Sequence, residues 1–316
     1  MEKLIKTYGY KDAVGLSEFL LNYQDTLDYR YLFASKEWLL SFLEVYKPKD
    51  NFLILSENDH NYFSLSVLDN KLVFTGDPFN DFNGVFISDP HDQYDFRKII
   101  QYFSEFSFAI KWVNLFEPRL IKKLSKSDRF QEGIIGLKIL REGRFQDYDK
   151  VVSSRIRRMY DKFSDSLRFS RIFGAEIKNN PDILKNLLST RRDKLLNKKK
   201  EEYNLSFEQK FNEFITKLIS FDSLWKNIFI DYCVHKDTGA IMASTINFVK
   251  DKSTICYLRA HASSNNVISY GLILDYWSNN KNFYDGVEII DLTRGSESYK
   301  YRLGAVEYRL TNFATI

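Results

Sequence analysis

The run from Thr254 to Gly304 constrains this chain more than any other stretch. Thr254-Ile-Cys-Tyr-Leu-Arg-Ala260 reads as a strand, and Ser269-Tyr270-Gly271 then opens a helix that runs through Leu272, Ile273, Leu274, Tyr276 and Trp277. Val287-Glu-Ile-Ile-Asp-Leu292 reads as a second, buried strand, followed by the polar turn Thr293-Arg-Gly-Ser-Glu-Ser-Tyr-Lys-Tyr-Arg302. Strand, helix and strand in such quick succession place this half of the chain in the α/β class. A strand that empties into a helix through a glycine-containing turn also aims free backbone N–H groups and the positive end of the helix dipole at one point. That arrangement suits a phosphate. The Arg-Gly-Ser-Glu-Ser-Tyr-Lys segment leaves its strand near the same edge of the sheet.

A chain of 316 residues with 44% hydrophobic and 28% charged residues is globular, and its length favours two ordinary cores over one large one. Phe (27) and Tyr (20) are abundant and Pro (5) is scarce, which fits long regular elements. The net charge of +4 is too small to indicate nucleic acid. The dense basic run, Arg191-Arg-Asp-Lys194 with Lys198-Lys-Lys200, has no interleaved aromatics and closes on Glu201-Glu202, so it reads as a solvated helix end. Cys233 and Cys256 sit in expected strands without CxxC or Cys/His spacing, which argues against a disulfide framework or a metal site and for a reducing compartment. No apolar stretch of about 18 residues exists, and Met1-Glu-Lys-Leu-Ile-Lys-Thr7 lacks a signal-peptide core. The expectation is a cytoplasmic protein that does not insert into a membrane. Walker A, HExxH and GxSxG motifs are absent from the sequence.

The C-terminal half starts near residue 150. Asn180-Pro181 marks a helix start, and Ile183, Leu184, Leu187, Leu188, Leu195 and Leu196 follow at helical spacing. Ser206 with Gln209 reads as a capping box ahead of the stripe Phe207, Phe211, Phe214, Ile215, Leu218 and Ile219. Antiparallel strands are expected over residues 227–234, 240–248 and 254–260, joined by the turns Lys236-Asp-Thr-Gly239 and Lys250-Asp-Lys252. The N-terminal half repeats the order. Helices are expected at Ser17 to Tyr23 and Ser35 to Tyr46, strands at 52–56, 62–67 and 71–75, a helix from Tyr94 to Phe103, a strand at 108–113 and a helix from Glu117 to Leu124. The reading is two domains of duplicated architecture, residues 1–149 and 150–316, each a mixed and mostly antiparallel sheet flanked by helices.

The order of the second half resembles the GNAT acyltransferase fold, and residues 150–304 resemble its BioF2-like/CelD branch, related in turn to the Fem peptidoglycan transferases. The residues that carry the match are Ser154-Arg155-Ile-Arg157-Arg158, Thr190-Arg-Arg-Asp-Lys-Leu195, Gly239-Ala-Ile-Met-Ala-Ser-Thr-Ile-Asn-Phe248, Ser269-Tyr270-Gly271 and Asp291-Leu-Thr-Arg-Gly-Ser-Glu-Ser-Tyr-Lys300. The last is the most specific, because the family shows Asp, an apolar residue, Arg-Gly, an acidic residue and Tyr-Lys there. Gly76-Asp77-Pro78 after a strand is similar to bacterial nucleotide-sugar N-acyltransferases of the FdhC type. The sequence departs from the family at the pyrophosphate loop. Of Gln/Arg-x-x-Gly-x-Gly/Ala only Gly271 remains, and Tyr270 stands where the branch often has proline. Backbone donors need no particular side chain, so the shortened loop can still bind a diphosphate.

The resemblance implies transfer of a short acyl group from acyl-CoA, a co-substrate, to the amine of an amino sugar, with no metal and no nucleic-acid partner. A Fem-like aminoacyl transferase and a non-catalytic double-GNAT scaffold are the alternatives. It also implies site residues. Leu258 and Ala260 would offer strand backbone to the donor, and Ile268, Ser269, Tyr270, Gly271, Arg294 and Lys300 would hold it. His261, whose ordinary pKa of about 6.5 suits a general base, and Asp291 are candidates to take the amine proton. Tyr299, with Tyr301 beside it, is a candidate to protonate the thiolate. Asp77, Asn80, Asp81 and Glu297 are candidates for the acceptor, the first three on a loop expected to face the donor across the domain boundary. The structural alternatives are a surface His261, an Asp291 that caps the Thr293–Tyr299 turn, Arg294 and Lys300 paired with Glu297, and a self-bonded Thr75–Gly84 hairpin.

Overall fold

The computed structural model describes residues 5–8, 20–26, 28–56, 61–77, 79–81, 83, 94, 99, 101–103, 109–116, 130–140, 148–198, 205–262 and 268–314. The chain divides into two compact units, Met1–Ile135 with Arg309–Ile316, and Gly136–Tyr308.

In the first unit, β1 (Ile5–Tyr8), β2 (Asn51–Leu55), β3 (Tyr62–Leu68) and β4 (Lys71–Phe74) run antiparallel in that order. The turn between β3 and β4 uses Asp69 and Asn70 at φ 49° and 58°, residue types that tolerate this region. β5 (Ala109–Leu115) pairs parallel with β4, and the last residues of β12 (Val306–Ala314) pair antiparallel with β5. Helix α1 (Lys36–Tyr46) starts where the Ser35 hydroxyl accepts the Trp38 N–H, and it buries Trp38, Leu39, Phe42 and Leu43. One face of the sheet closes on Phe52, Phe63, Phe74, Phe103 and Trp112. Each such side chain contributes about 1.5–3 kcal/mol by leaving water.

The second unit has the strand order β7 (Leu167–Phe173), β8 (Ile228–His235), β9 (Ile241–Lys250), β10 (Ser253–His261), β11 (Ile289–Arg294) and then the end of β6 (Phe130–Leu140). The first three pairings are antiparallel, β10–β11 is parallel and β11–β6 antiparallel. This is the sequence of senses found in the first unit. The helices are α2 (Tyr148–Val151), α3 (Ser154–Phe163), α4 (Gly174–Asn179), α5 (Pro181–Lys198), α6 (Leu205–Ile219), α7 (Tyr270–Tyr284) and α8 (Ser298–Arg302). Two tandem units, each a mixed and mostly antiparallel sheet with flanking helices, is the architecture expected from the sequence.

Several local expectations differ from what is observed. The units part at residues 135 and 136 instead of 149 and 150, because β6 already pairs with β11 (Leu140 with Ile289, Gly136 with Arg294) and the chain end returns to β5. Ser206 lies inside α6, which already includes Leu205, so it is not the N-cap residue of a capping box. Leu20 to Asn22 are not helical, and Tyr23–Asp25 form a single 3₁₀ turn. Ser17 to Phe19, most of the Tyr94–Phe103 helix and all of the Glu117–Leu124 helix lie outside the described residues.

Helix α7 is fastened to its sheet by polar groups. The Arg171 guanidinium on β7 donates to both Asp231 carboxylate oxygens at 2.7 and 2.8 Å and to Asn282 Oδ1 at 2.8 Å. Ser278 donates to the same Asp231 carboxylate, and Asn279 donates to the Tyr148 hydroxyl at 2.9 Å. These bonds run along the buried side of the second half of α7. Among the described residues no helix is long and apolar enough to cross a membrane.

Candidate active site

β10 and β11 pair over only three positions, Ser253 with Ile289, Thr254 with Ile290 and Ile255 with Asp291. Beyond Ile255, β10 continues along β9 to His261, with a register shift between Cys256 and Leu258, while β11 follows β6 to Arg294. Two parallel strands that begin paired therefore part. The side of β10 that faced β11 then has no strand partner among the described residues. Leu258 and Ala260, expected to offer backbone to a donor, lie on this stretch.

The parted strand leads to the first turn of α7. Helix geometry leaves the N–H groups of Tyr270, Gly271 and Leu272 without an intrahelical acceptor, and the Ser269 side chain makes no cap. The Ser269 N–H instead reaches Met159 Sδ at 3.4 Å, and Ile268 and Met159 both pack against the apolar cluster that contains Ile273 and Leu274. Gly271 is needed for close approach, since a Cβ there would lie 3.0 Å from Cδ2 of the His261 ring. His261 Nδ1 lies 3.2 Å from the Ala262 carbonyl, and its Nε2 meets Lys194 Nζ from α5. With Nδ1–H donated to the carbonyl, Nε2 is the acceptor for the lysine ammonium. Lys194 was read as part of a solvated helix end; its terminus instead reaches the strand end beside the helix start.

The Asp291–Lys300 segment is tied to itself. Asp291 has no solvent exposure, and its Oδ1 accepts from the Thr293 N–H and from the Tyr308 hydroxyl, both at 2.8 Å. Thr293 has φ 60°, a conformation that β-branched residues avoid, and the Asp291 bond holds it. Lys300 is 3% exposed. Its ammonium donates to the carbonyls of Arg294 at 2.6 Å, Gly295 at 3.3 Å and Thr293 at 3.4 Å, and pairs with Glu297 at 3.0 Å. A Cβ on Gly295, at φ 101°, would lie 2.6 Å from the Glu297 carboxylate. The contacts of Asp291 with Thr293 and of Lys300 with Glu297 are those of the structural alternatives, and Arg294 is the last residue of β11. Tyr301 is partly exposed and donates to Glu307 at 2.5 Å.

Tyr299 has different surroundings. It packs against the apolar cluster that contains Leu272, Tyr276, Ile290 and Leu292, together with Cys256. The Arg259 guanidinium of β10 lies 4.0 Å from the Tyr299 ring centroid, and Arg259 is ion-paired with Asp275 of α7. Burial pushes the phenol above its ordinary range, opposed by Arg259 and reinforced by Asp275 and Glu297. Burial also raises the Asp275 carboxyl against the pull of Arg259, and it raises the Cys256 thiol. The sequence reading passed over Arg259 and Asp275. The available signal was one unmatched charge in each of two apolar runs.

Asp77, Asn80 and Asp81 belong to the first unit. There the chain leaving β4 turns at Gly76, and Asn83 bridges Leu115 of β5, with the Phe116 N–H donating to the Asn83 carbonyl at 3.2 Å. Asn83 thus pairs with the end of β5, a position for which β10 and β11 of the other unit have no counterpart among the described residues. Asn80 is buried. Its Oδ1 accepts from Trp38 Nε1 at 2.7 Å, and its Nδ2 donates to Asn83 Oδ1 at 2.6 Å and the Thr75 carbonyl at 3.2 Å. Phe79 packs on Phe42 and Tyr46. Asp81 is buried and Asp77 half-buried. Pro78, Phe82 and Gly84 lie outside the described residues. Among the described residues no three His, Cys, Asp or Glu side chains gather as a metal site.

No family model and no curated protein matches the chain. Solved structures share its fold. The C-terminal domain of a protein described as a lysylphosphatidylglycerol synthetase from Agrobacterium fabrum is 12% identical, with a TM-score of 0.63 over 96% of this chain and 92% of that one. L-PGS from Bacillus licheniformis is 12% identical, with a TM-score of 0.55 over 88% and 90%. FemX is 7% identical, with a TM-score of 0.54 over 98% and 97%.

Proposed function

We propose that the chain is a GNAT-type N-acyltransferase whose donor lies in the opening between β10 and β11, with its phosphates at the first turn of α7. The parting of two parallel strands directly before a helix start carries this reading. An extended donor arm can bond to the unpaired edge of β10, and the N–H groups of residues 270–272 receive the diphosphate. The amine attacks the thioester carbonyl, forming the C–N bond and breaking the C–S bond. The nitrogen gives up its proton to His261, whose Nε2 is the acceptor when Nδ1–H is donated to the Ala262 carbonyl, once Lys194 yields its place. The leaving thiolate takes a proton from Tyr299. Acyl-CoA as donor, and a nucleotide-linked amino sugar as the acceptor of a cytoplasmic, FdhC-type enzyme, complete the reading.

A second reading is supported by the names of the fold neighbours. A lysylphosphatidylglycerol synthetase domain and FemX both share this architecture, which fits transfer of an aminoacyl group by a Fem-like enzyme.

The test is release of free thiol from acetyl-CoA and hydroxybutanoyl-CoA across a panel of amino sugars and their nucleotide-linked forms. The expected result is release that depends on the acceptor and falls about 10²–10⁴-fold in His261→Ala, the usual range for general-base catalysis. Transfer from aminoacyl-tRNA without thiol release favours the second reading. No transfer from either donor points to a scaffold.

A further inference from the structure

Arg259 is the single charge in the stretch Thr254–Ala260, and Asp275 is the single charge in Gly271–Trp277. Their paired side chains are 23% and 13% exposed. Desolvation offsets much of the attraction in such a pair, so its place is better explained by what it holds. It holds a ring: the guanidinium lies 4.0 Å from the Tyr299 centroid, within the range of a cation–π contact. Four other tyrosine hydroxyls of this unit are committed: those of Tyr276, Tyr301 and Tyr308 donate to Asp149, Glu307 and Asp291, and that of Tyr148 accepts from Asn279. The Tyr299 hydroxyl makes no hydrogen bond among the described residues.

We propose that Arg259 and Asp275 are positioning residues for Tyr299. The Asp275 carboxylate fixes the Arg259 guanidinium over the phenol ring, and the clamped ring presents its hydroxyl to a ligand where β10 and β11 part. Three elements meet in this contact, β10, α7 and α8; β10 forms one edge of the opening. The consequence, delivery of a proton to a leaving thiolate, rests on the acyl-transfer reading; the clamp itself does not.

The charges around the ring give the clamp a measurable signature. β10 contributes Arg259 and the Cys256 thiol, α7 contributes Asp275, and Glu297 stands at the start of α8. From β11 the same cluster receives the apolar Leu292. Neutralising Asp275 leaves the guanidinium charge uncompensated beside the phenol, which favours the phenolate. An opposite charge at this range lowers a pKa by about 1–3 units. A phenol serves as a proton donor only while protonated, so the same change brings the alkaline loss of turnover to lower pH.

The experiment is an ultraviolet difference titration of the full chain as wild type and Asp275→Asn, with Tyr299→Phe in each background to assign the signal. Turnover against pH is measured in parallel. The expected result is that Tyr299 ionises at lower pH in Asp275→Asn and that the alkaline limb of turnover moves with it. Arg259→Lys keeps the charge but loses the planar guanidinium, and nitration of Tyr299 by tetranitromethane is expected to be faster in it. The proposal is overturned if Tyr299 titrates as in wild type. Should Asp275→Asn not fold, an unchanged nitration rate in Arg259→Lys overturns it. A shifted titration with an unmoved alkaline limb removes the residues from the reaction. A shifted titration without turnover from any donor sustains the clamp and sinks the acyl-transfer reading.

Discussion

Lys300 shows how a charged residue in a recognisable motif can face inward. The sequence places it beside Arg294 as a binder of donor phosphates, yet all the hydrogen bonds described for its ammonium go to its own turn. Lys300→Met keeps the aliphatic bulk and strips one buried carbonyl, two part-buried carbonyls and one exposed carboxylate of their donor. Unsatisfied buried groups cost about 1–3 kcal/mol each before relaxation and water entry, so a net loss of about 2–4 kcal/mol is expected. Urea unfolding checks this; a midpoint equal to wild type would show that water replaces the ammonium freely. The Asp291 cap was legible, because an aspartate two residues ahead of a turn position readily accepts its N–H. The direction of Lys300 was not, since nothing in Tyr-Lys-Tyr tells which side of a short helix will be covered.

At the scale of elements, α7 decides where the proposed site lies, and Arg171 decides where α7 lies. The Arg171 and Asp231 side chains are 9% and 0% exposed. Removing one partner of a buried pair costs about 3–5 kcal/mol, because the other charge remains behind. Arg171→Met is therefore expected to lower stability by about that amount in chemical denaturation. A loss below about 1 kcal/mol would mean that α7 is held by its apolar face alone. Elements with local signals were legible: Asn180-Pro181 starts α5 as expected, and the strand–turn–strand run over residues 228–261 matches β8 to β10. β6, β7 and β12 were not. Their strand character depends on distant partners, Arg168 and Arg171 interrupt the apolar pattern of β7, and Gly133 and Gly136 weaken that of β6.

Across the whole molecule, one architecture occurs twice with different fates. Both units pair four strands antiparallel in a row, add a fifth in parallel to the fourth and finish with an antiparallel sixth. The duplication was legible from element order, but its asymmetry was not. In the first unit Asn83, beyond the turn at Gly76, bridges Leu115 of the second parallel strand, whereas in the second unit no described residue takes the corresponding place. The account therefore predicts one donor site per chain, at Gly271. Calorimetric titration with acetyl-CoA tests this most directly. Wild type should bind about one equivalent, and a folded Gly271→Asp variant should bind at least about tenfold more weakly, as a carboxylate is brought to an anion site. Unchanged affinity in Gly271→Asp, or two equivalents bound by wild type, would contradict it.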